Sequence, residues 1–530
     1  MVPHTRIVAT GALAALALLS GGCGSGGGSS TGTTPQPPAE RPALPQTYRA
    51  SGHAAAGDVF VHLFEWKWTD IASECENVLG PAGFRAVQLS PPQEHAVIAG
   101  APWWERYQPV SYSLERSRSG TRAELVDMVG RCRAAGVDIY VDAVINHMTA
   151  GAGTGSNGSV YSKYNYPGLY VQADFHPPCG VSNYQSPANV QDCELVGLAD
   201  LDTKSTSVRR KTADYLIALA RIGVAGFRID AAKHMQPVDL DAILDLVDET
   251  LAGEGRPLPF YFGEVIDYGG EGVTRRDYYG LAYGSGGAAD ITEFKFRGVG
   301  DKFLGAGGQR ISQLNPNGPA GSQFSATAWG LMPADKAVVF LENHDTQRSD
   351  GIGYRDGMAF RLANVWMLSQ PYGYPSIMSS YAFDRSSSGR DRGPPSDANG
   401  ATNDVTCASS LESAAIGQWV CEHRDPFIAK MVGFRRTVAG TGISNWWDDG
   451  ANAIAFSRGD KGFVAINRGT APVTTTVTTG LAPGTYCDLL TGGVSGGACT
   501  GASITVGSTG AVSLTLGANT AVAIDIATKL

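Results

Sequence analysis

The sequence lacks any broad excess of positive charge: 41 Lys and Arg stand against 50 Asp and Glu, a formal net charge of −9. That balance excludes a basic field able to hold nucleic acid. Charge of either sign is sparse at 17% of 530 residues, while 43% are hydrophobic and 9% aromatic. This excludes disorder for most of the length. Cysteine is scarce as well, nine in the whole chain, too few to staple a fold in place of a core. The odd number still asks for an unpaired member. Beyond the first twenty residues no apolar run is long enough to cross a bilayer as a helix.

What is present begins with an apolar run, Ile7 to Leu19, behind Arg6, too short to span a membrane and suited to the core of an export signal. Small residues Ser20, Gly21 and Gly22 then precede Cys23. This resembles a bacterial lipoprotein signal with Cys23 as the lipidated terminus; the alternative is ordinary cleavage and free secretion. Both export the chain, to the cell surface or beyond. A Gly/Ser/Pro-rich tract follows, so residues 1–22 are expected to be signal and 23–57 a flexible tether.

From Asp58 onward, short β-branched apolar runs alternate with helical patterns. Val59–Phe64, Ala86–Leu89, Val137–Val144, Val224–Ile229, Phe260–Val265 and Ala337–Leu341 read as buried strands. Arg122–Ala135, Val208–Ile222 and Leu240–Ala252 read as amphipathic helices. Strand then helix, repeated over some 380 residues, predicts an α/β fold: a closed (β/α)8 TIM barrel. Residues 149–201, rich in Gly, Ser, Asn, Tyr and Pro, are too long for an ordinary loop and read as an inserted small domain. The barrel is thus expected over 58–148 and 202–440. From 441 to 530, short Val/Thr/Ile runs between Gly turns predict a C-terminal antiparallel β-sandwich.

Active residues of such barrels sit at the C-terminal strand ends. Those ends read Asp142-Ala143-Val144-Ile145-Asn146-His147, Gly226-Phe227-Arg228-Ile229-Asp230, Gly263-Glu264 and Glu342-Asn343-His344-Asp345. Three carboxylates, Asp230, Glu264 and Asp345, could converge on one mouth, and such a set suits glycoside hydrolysis. Arg228, two residues before Asp230 and on the same side of its strand, would hold Asp230 ionised as a nucleophile. Glu264 follows an apolar run and neighbours negative charge, conditions that raise a carboxyl pKa and fit the acid. Asp345 is then free to bind sugar hydroxyls.

In order, the blocks Val141–Met148, Gly226–His234, Glu264–Asp267 and Asn343–Asp345 resemble the four signature regions of the alpha-amylase family, glycoside hydrolase family 13. Their flanks, Val61–Trp66, Pro102–Gln108 and Leu195–Leu198, are similar to its animal-type branch shared with actinobacterial enzymes. The resemblance implies retaining endo-hydrolysis of α-1,4 bonds in starch and glycogen by a monomer. It assigns Asp230 as nucleophile, Glu264 as acid/base and Asp345 as third carboxylate. It places His147, Arg228 and His344 at the cleavage point, Trp103, Trp104, Tyr107 and Gln108 along the cleft, and Lys233 and His234 on its reducing-end side. A calcium ion is implied at Asn146, Asp200 and the backbone carbonyls of Gln191 and His234. Chloride binding is not expected, because Ser376 stands where that branch carries a second basic residue beside Arg228 and Asn343. The segment Ser349–Gly357 looks shorter than its counterpart. The same resemblance pairs Cys75 with Cys132, Cys179 with Cys193, Cys407 with Cys421 and Cys487 with Cys499, leaving Cys23 alone. Two other readings stay open: a maltooligosaccharide-forming exo-enzyme or transglycosylase on this scaffold, and a non-catalytic starch-binding surface protein, which would be expected to lose a carboxylate.

Overall fold

Apolar runs without polar alternation become strands buried on both faces, the mark of a parallel sheet covered by helices. Eight do so here: β1 Phe60–Leu63, β2 Ala86–Leu89, β3 Asp138–Ala143, β4 Gly226–Ile229, β5 Phe260–Gly263, β6 Asp290–Thr292, β7 Ala337–Val339 and β8 Tyr374–Ser379. They pair in parallel in chain order and close, with Phe60 of β1 opposite both Ala86 of β2 and Ser376 of β8. The computed structural model describes residues 48–319, 323–349, 351–387 and 389–530. The expected signal and lipidation at Cys23 lie outside the described residues.

Two barrel strands carry no strand signal in the sequence. β6 is three residues long beside a Gly-rich stretch, and β8 is interrupted by Pro375. The expected tether also ends earlier than residue 57, because residues 48–57 are packed. The Arg49 amide donates to Gly286, Ser51 Oγ donates to Asp290 Oδ2, Lys336 Nζ donates to the Arg49 carbonyl, and the His53 ring stacks on Tyr374. This segment therefore contacts residues that precede or begin β6, β7 and β8.

The helices follow their local signals. Arg122–Ala134 starts at Thr121, whose Oγ1 accepts from the Glu124 amide while Glu124 accepts from the Thr121 amide, a reciprocal cap. Pro237–Gly253 and Pro426–Thr437 both open with proline, which fits the first turn. Residues 149–201 hold short hairpins and turns, and Tyr161, Tyr166, Tyr170, Phe175 and Leu201 cluster with Ala96, Val110 and Val208 of the barrel. The C-terminal region is all-β. Ile443–Asp448, Ala453–Arg458, Gly462–Asn467 and Thr520–Asp525 make an antiparallel sheet whose Ala455, Phe463 and Ile524 share a core with Val477, Tyr486 and Leu514 of further strand pairs. All four disulfides implied by the resemblance are formed.

The barrel interior carries the link from pattern to chemistry. Side chains two apart on a strand share a face. Phe60, Ala86, Tyr140, Phe262, Val338 and Tyr374 form one apolar layer. Two residues further on, five of the six positions are polar, His62, Gln88, Asp142, Glu264 and Ser376, and Phe340 alone stays apolar. Gly226 is required in the lower layer, since a Cβ there would lie 2.7 Å from the Tyr140 ring and from the Phe260 carbonyl. Its successor two residues on is Arg228.

Candidate active site

Arg228 sits at the centre of the polar layer, 3% exposed. Its Nη1 donates to Asp142 Oδ1 at 2.5 Å and to Asp230 Oδ1 at 2.9 Å, and its Nη2 lies 2.7 Å from Glu264 Oε1. One guanidinium thus holds carboxylates from β3, from the end of β4 and from the end of β5 within a single charge cluster. The contact to Glu264 is close but poorly directed, since neither Arg228 Nη2 nor Glu264 Oε1 has an aligned hydrogen bond. Burial raises the Glu264 carboxyl well above the ordinary carboxylate range; Arg228 opposes this, and Asp230 and Asp345 add to it. A neutral Glu264 is a proton donor.

Between these two carboxylates, Ala231 adopts a left-handed conformation (φ 49°), which an L-residue holds only when its surroundings enforce it. The turn directs the Ala231 amide to Glu264 Oε2 at 3.3 Å. Asp345 is partly open, its side chain 42% exposed, with Oδ2 3.3 Å from His344 Nε2. Burial keeps His344 neutral, its pKa well below the ordinary histidine value. His344 is stacked between Tyr107 and Phe64. His147 Nε2 lies 2.9 Å from the Tyr107 carbonyl, which fixes its ring beside Asp230.

The remaining expected residues fall around this centre in different ways. Trp103 turns its edge to Tyr107 and His344 and carries the Arg348 guanidinium 4.5 Å from its ring centroid. Trp104 is half-buried nearby in the chain. Tyr107 is not a bare platform, since one face lies against His344 and its hydroxyl donates to Asp142 Oδ2 at 2.9 Å. Gln108 Oε1 accepts from the Ala150 amide, joining the cleft wall to the inserted segment. Lys233 pairs with Glu271 and donates to the Ile266 carbonyl. His234 Nδ1 lies 2.9 Å from the Val190 carbonyl, and Gln191 Nε2 donates to Tyr278.

Among the described residues no three His, Cys, Asp or Glu side chains converge as a metal cluster. The implied calcium set has one carboxylate and relies on amide and carbonyl oxygens. Its carboxylate fits: Asp200 Oδ2 pairs with His176 Nδ1 at 2.7 Å, while Oδ1 is buried with no hydrogen-bond partner among the described residues. A hard cation relieves the cost of such an oxygen. Ser376, the chloride-relevant position, lines a small pocket with Arg228, Thr292 and Asn343.

Comparison with known proteins decides the family. The chain matches "Alpha amylase, catalytic domain" over residues 90–249 and "Alpha amylase, C-terminal all-beta domain" over 444–527. An alpha-amylase of Tribolium castaneum is 45% identical over 478 residues, 88% of this chain and 93% of the relative. The chain belongs to the alpha-amylase family. An alpha-amylase of the fish Oryzias latipes is 44% identical over 485 residues, 85% of this chain and 90% of its own. Alpha-amylase I of the earthworm Eisenia fetida shares the fold, with a TM-score of 0.79 at 37% identity, covering 91% of this chain and 99% of that one. A mutant of the earthworm enzyme has been seen in complex with maltohexaose, also at a TM-score of 0.79.

Several members of this amylase site were not singled out from the sequence. Asp142 stood inside a motif, but its pairing with Arg228 and Tyr107 depends on which β3 side chains face inward. His176, Glu271 and Arg348 carry no motif signal; they are defined by partners 24 (Asp200), 38 (Lys233) and 33 (Tyr381) residues away.

Proposed function

We propose that this chain is a retaining endo-hydrolase of α-1,4-glucosidic bonds in starch, glycogen and related α-glucans. The observation that carries the reading is the single buried Arg228 holding Asp230 and Glu264 together, with the Glu264 pKa raised. Neutral Glu264 gives its proton to the glycosidic oxygen as that bond breaks, and Asp230 bonds to the anomeric carbon. Glu264, now anionic, takes a proton from water, which displaces Asp230 and restores both groups. Asp345, with the neutral His344 beside it, binds sugar hydroxyls and steadies the oxocarbenium-like transition state. His147, Lys233, His234, Trp103, Trp104, Tyr107 and Gln108 shape the cleft. Endo-action on starch is tested by following iodine staining beside reducing sugar: staining falls long before reducing ends accumulate. Parallel loss of colour and gain of reducing ends would mark an exo-enzyme.

The proposed organisation keeps the barrel at 58–148 and 202–440, the inserted domain at 149–201 and the sandwich at 441–530, supported by the closed eight-stranded sheet and the separate antiparallel sheets after residue 441. Export, with lipidation at Cys23, is supported by the apolar run and small residues before that cysteine. No helix among the described residues is long and apolar enough to cross a membrane. Action as a monomer belongs to the same proposal.

Asn146, Asp200 and the carbonyls of Gln191 and His234 would hold Ca2+, which supplies structural cross-linking between the inserted segment and the barrel. At a hundred to a thousand times its dissociation constant, such an ion adds about 3 to 4 kcal/mol. Chelation is therefore expected to lower Tm, and added Ca2+ to restore it; a Tm unmoved by chelator contradicts the site. For chloride the expectation is the reverse. With one cation, Arg228, already facing three carboxylates, and a serine at 376, adding NaCl to chloride-free enzyme leaves the rate unchanged at constant ionic strength. A severalfold rise contradicts this.

A further inference from the structure

Beside the active site, the buried glutamates Glu342 and Glu422 lie near enough to repel each other, and among the described residues neither forms an ion pair. Glu342, three residues beyond β7 on the segment leading to His344 and Asp345, is 3% exposed; Glu422, in the 3-10 turn Glu422–Arg424, is wholly buried. Glu422 Oε2 accepts from the Ser380 amide at 2.8 Å, but among the described residues both carboxyl oxygens of Glu342 and Oε1 of Glu422 have no hydrogen-bond partner. The same holds for the Tyr354 hydroxyl, Arg355 Nη1 and Arg385 Nη2 around them. The groups facing Glu342 are Glu422, Arg385, Arg355 and Asp356. Among the described residues neither arginine comes within 4.0 Å of either glutamate, so the pair is not neutralised by direct contact.

The backbone around Glu342 belongs to the proposed third carboxylate. Immediately after it, Asn343 Oδ1 accepts from the Asp345 and Thr346 amides, which fixes the turn carrying Asp345. Arg385 Nε donates to the Gln347 carbonyl in that turn. The returning chain passes directly against the Glu342 carboxyl at Gly353. Its φ of −163° is open to any residue, yet a methyl group there would collide with Glu342 Oε2. The carboxyl thus lies directly against the Gly353–Gly357 return, on the residue that leads into the Asn343–Ser349 turn. Glu342 also lines the small pocket that Arg228, Asn343 and His344 line.

We propose that Glu342 is a positioning residue that acts as a neutral acid: with Glu422 it forms a proton-holding pair around which the Asp345 turn closes, and its ionisation displaces Asp345. The electrostatics agree, since burial, with Glu422 adding, raises Glu342 to about 8, and burial raises Glu422 to about 7. The proposal rests on Asp345 serving the glycosidase site.

Glu342→Gln makes the neutral form permanent. For wild type, a folded-state pKa near 8 against an ordinary 4.5 means stability from the bound proton is complete below pH 4.5 and lost as pH rises towards 8. The Tm of Glu342→Gln relative to wild type is therefore expected to climb by about 3 °C or more between pH 5 and pH 8. The alkaline fall of kcat is expected to flatten, from about a hundredfold to about tenfold per pH unit, with KM unmoved, because one of two deprotonations is removed. A Tm gap that stays constant or becomes negative with pH overturns the neutral pair. An unchanged alkaline slope overturns the positioning role even where stability responds. Should Glu342→Gln not fold, Glu422→Gln is read by the same two criteria. The thermal arm needs no substrate, so failure of the pair is distinguishable from failure of the glycosidase reading, in which wild type itself would not cleave starch.

Discussion

Asp230→Asn lowers kcat on starch by about 10⁴-fold or more, and Glu264→Gln by a comparable factor, the scale expected when a covalent nucleophile or its acid partner is removed. The two losses separate by leaving group. Glu264 supplies a proton to the departing oxygen, so a substrate whose leaving group needs none, such as an α-glucosyl fluoride, recovers about 10² to 10⁴ of the loss in Glu264→Gln. Asp230 forms the bond to carbon for every substrate, and Asp230→Asn stays inactive on both. Both variants keep the fold, because Arg228 retains two of its three carboxyl partners in each case. Rates near wild type from either variant on starch would remove the proposed mechanism, and equal rescue of both would remove the division of roles.

Arg228→Met carries the largest expected cost in stability. Asp142 is 0% exposed, and Asp230 and Glu264 are under 10%; all three face the same guanidinium. Removing one partner of a buried ion pair costs about 3 to 5 kcal/mol, since the remaining charge is left without compensation. The three carboxyls then hold protons more tightly in the folded chain than in the unfolded one. Stability of the variant therefore falls further behind wild type as pH rises from 5 to 8. Denaturant unfolding at those two pH values reads this directly. A deficit under 1 kcal/mol, or one that shrinks as pH rises, would show that Arg228 is not the charge on which the cluster depends. Arg228→Lys should recover part of the charge but not the three-way geometry of the fork.

Much of this was legible before any coordinates. Apolar strand runs that end in ionisable residues mark the mouth of the barrel, and those ends name Asp230, Glu264 and Asp345. The sandwich and the four disulfides were legible too, the latter only through family resemblance. The rest depends on partners far apart in sequence. β6, three residues long, is a strand only because β5 and β7 flank it. The packing of residues 48–57 needs Gly286, Asp290 and Lys336, which no local pattern around Ser51 announces. Asp142 reads as one more buried polar residue until Arg228 and Tyr107 are seen against it. Glu342 reads as part of the Asn343–Asp345 motif until Gly353 and Glu422 enclose it.

The most direct test of the mechanism is the configuration of the first product. Proton NMR during the first turnovers of a short α-1,4 maltooligosaccharide distinguishes the anomers before mutarotation mixes them. Double displacement through Asp230 predicts that the newly released reducing end appears as the α-anomer and only later equilibrates. A β-anomer formed first would mean a single displacement by water, and would contradict Asp230 as the nucleophile.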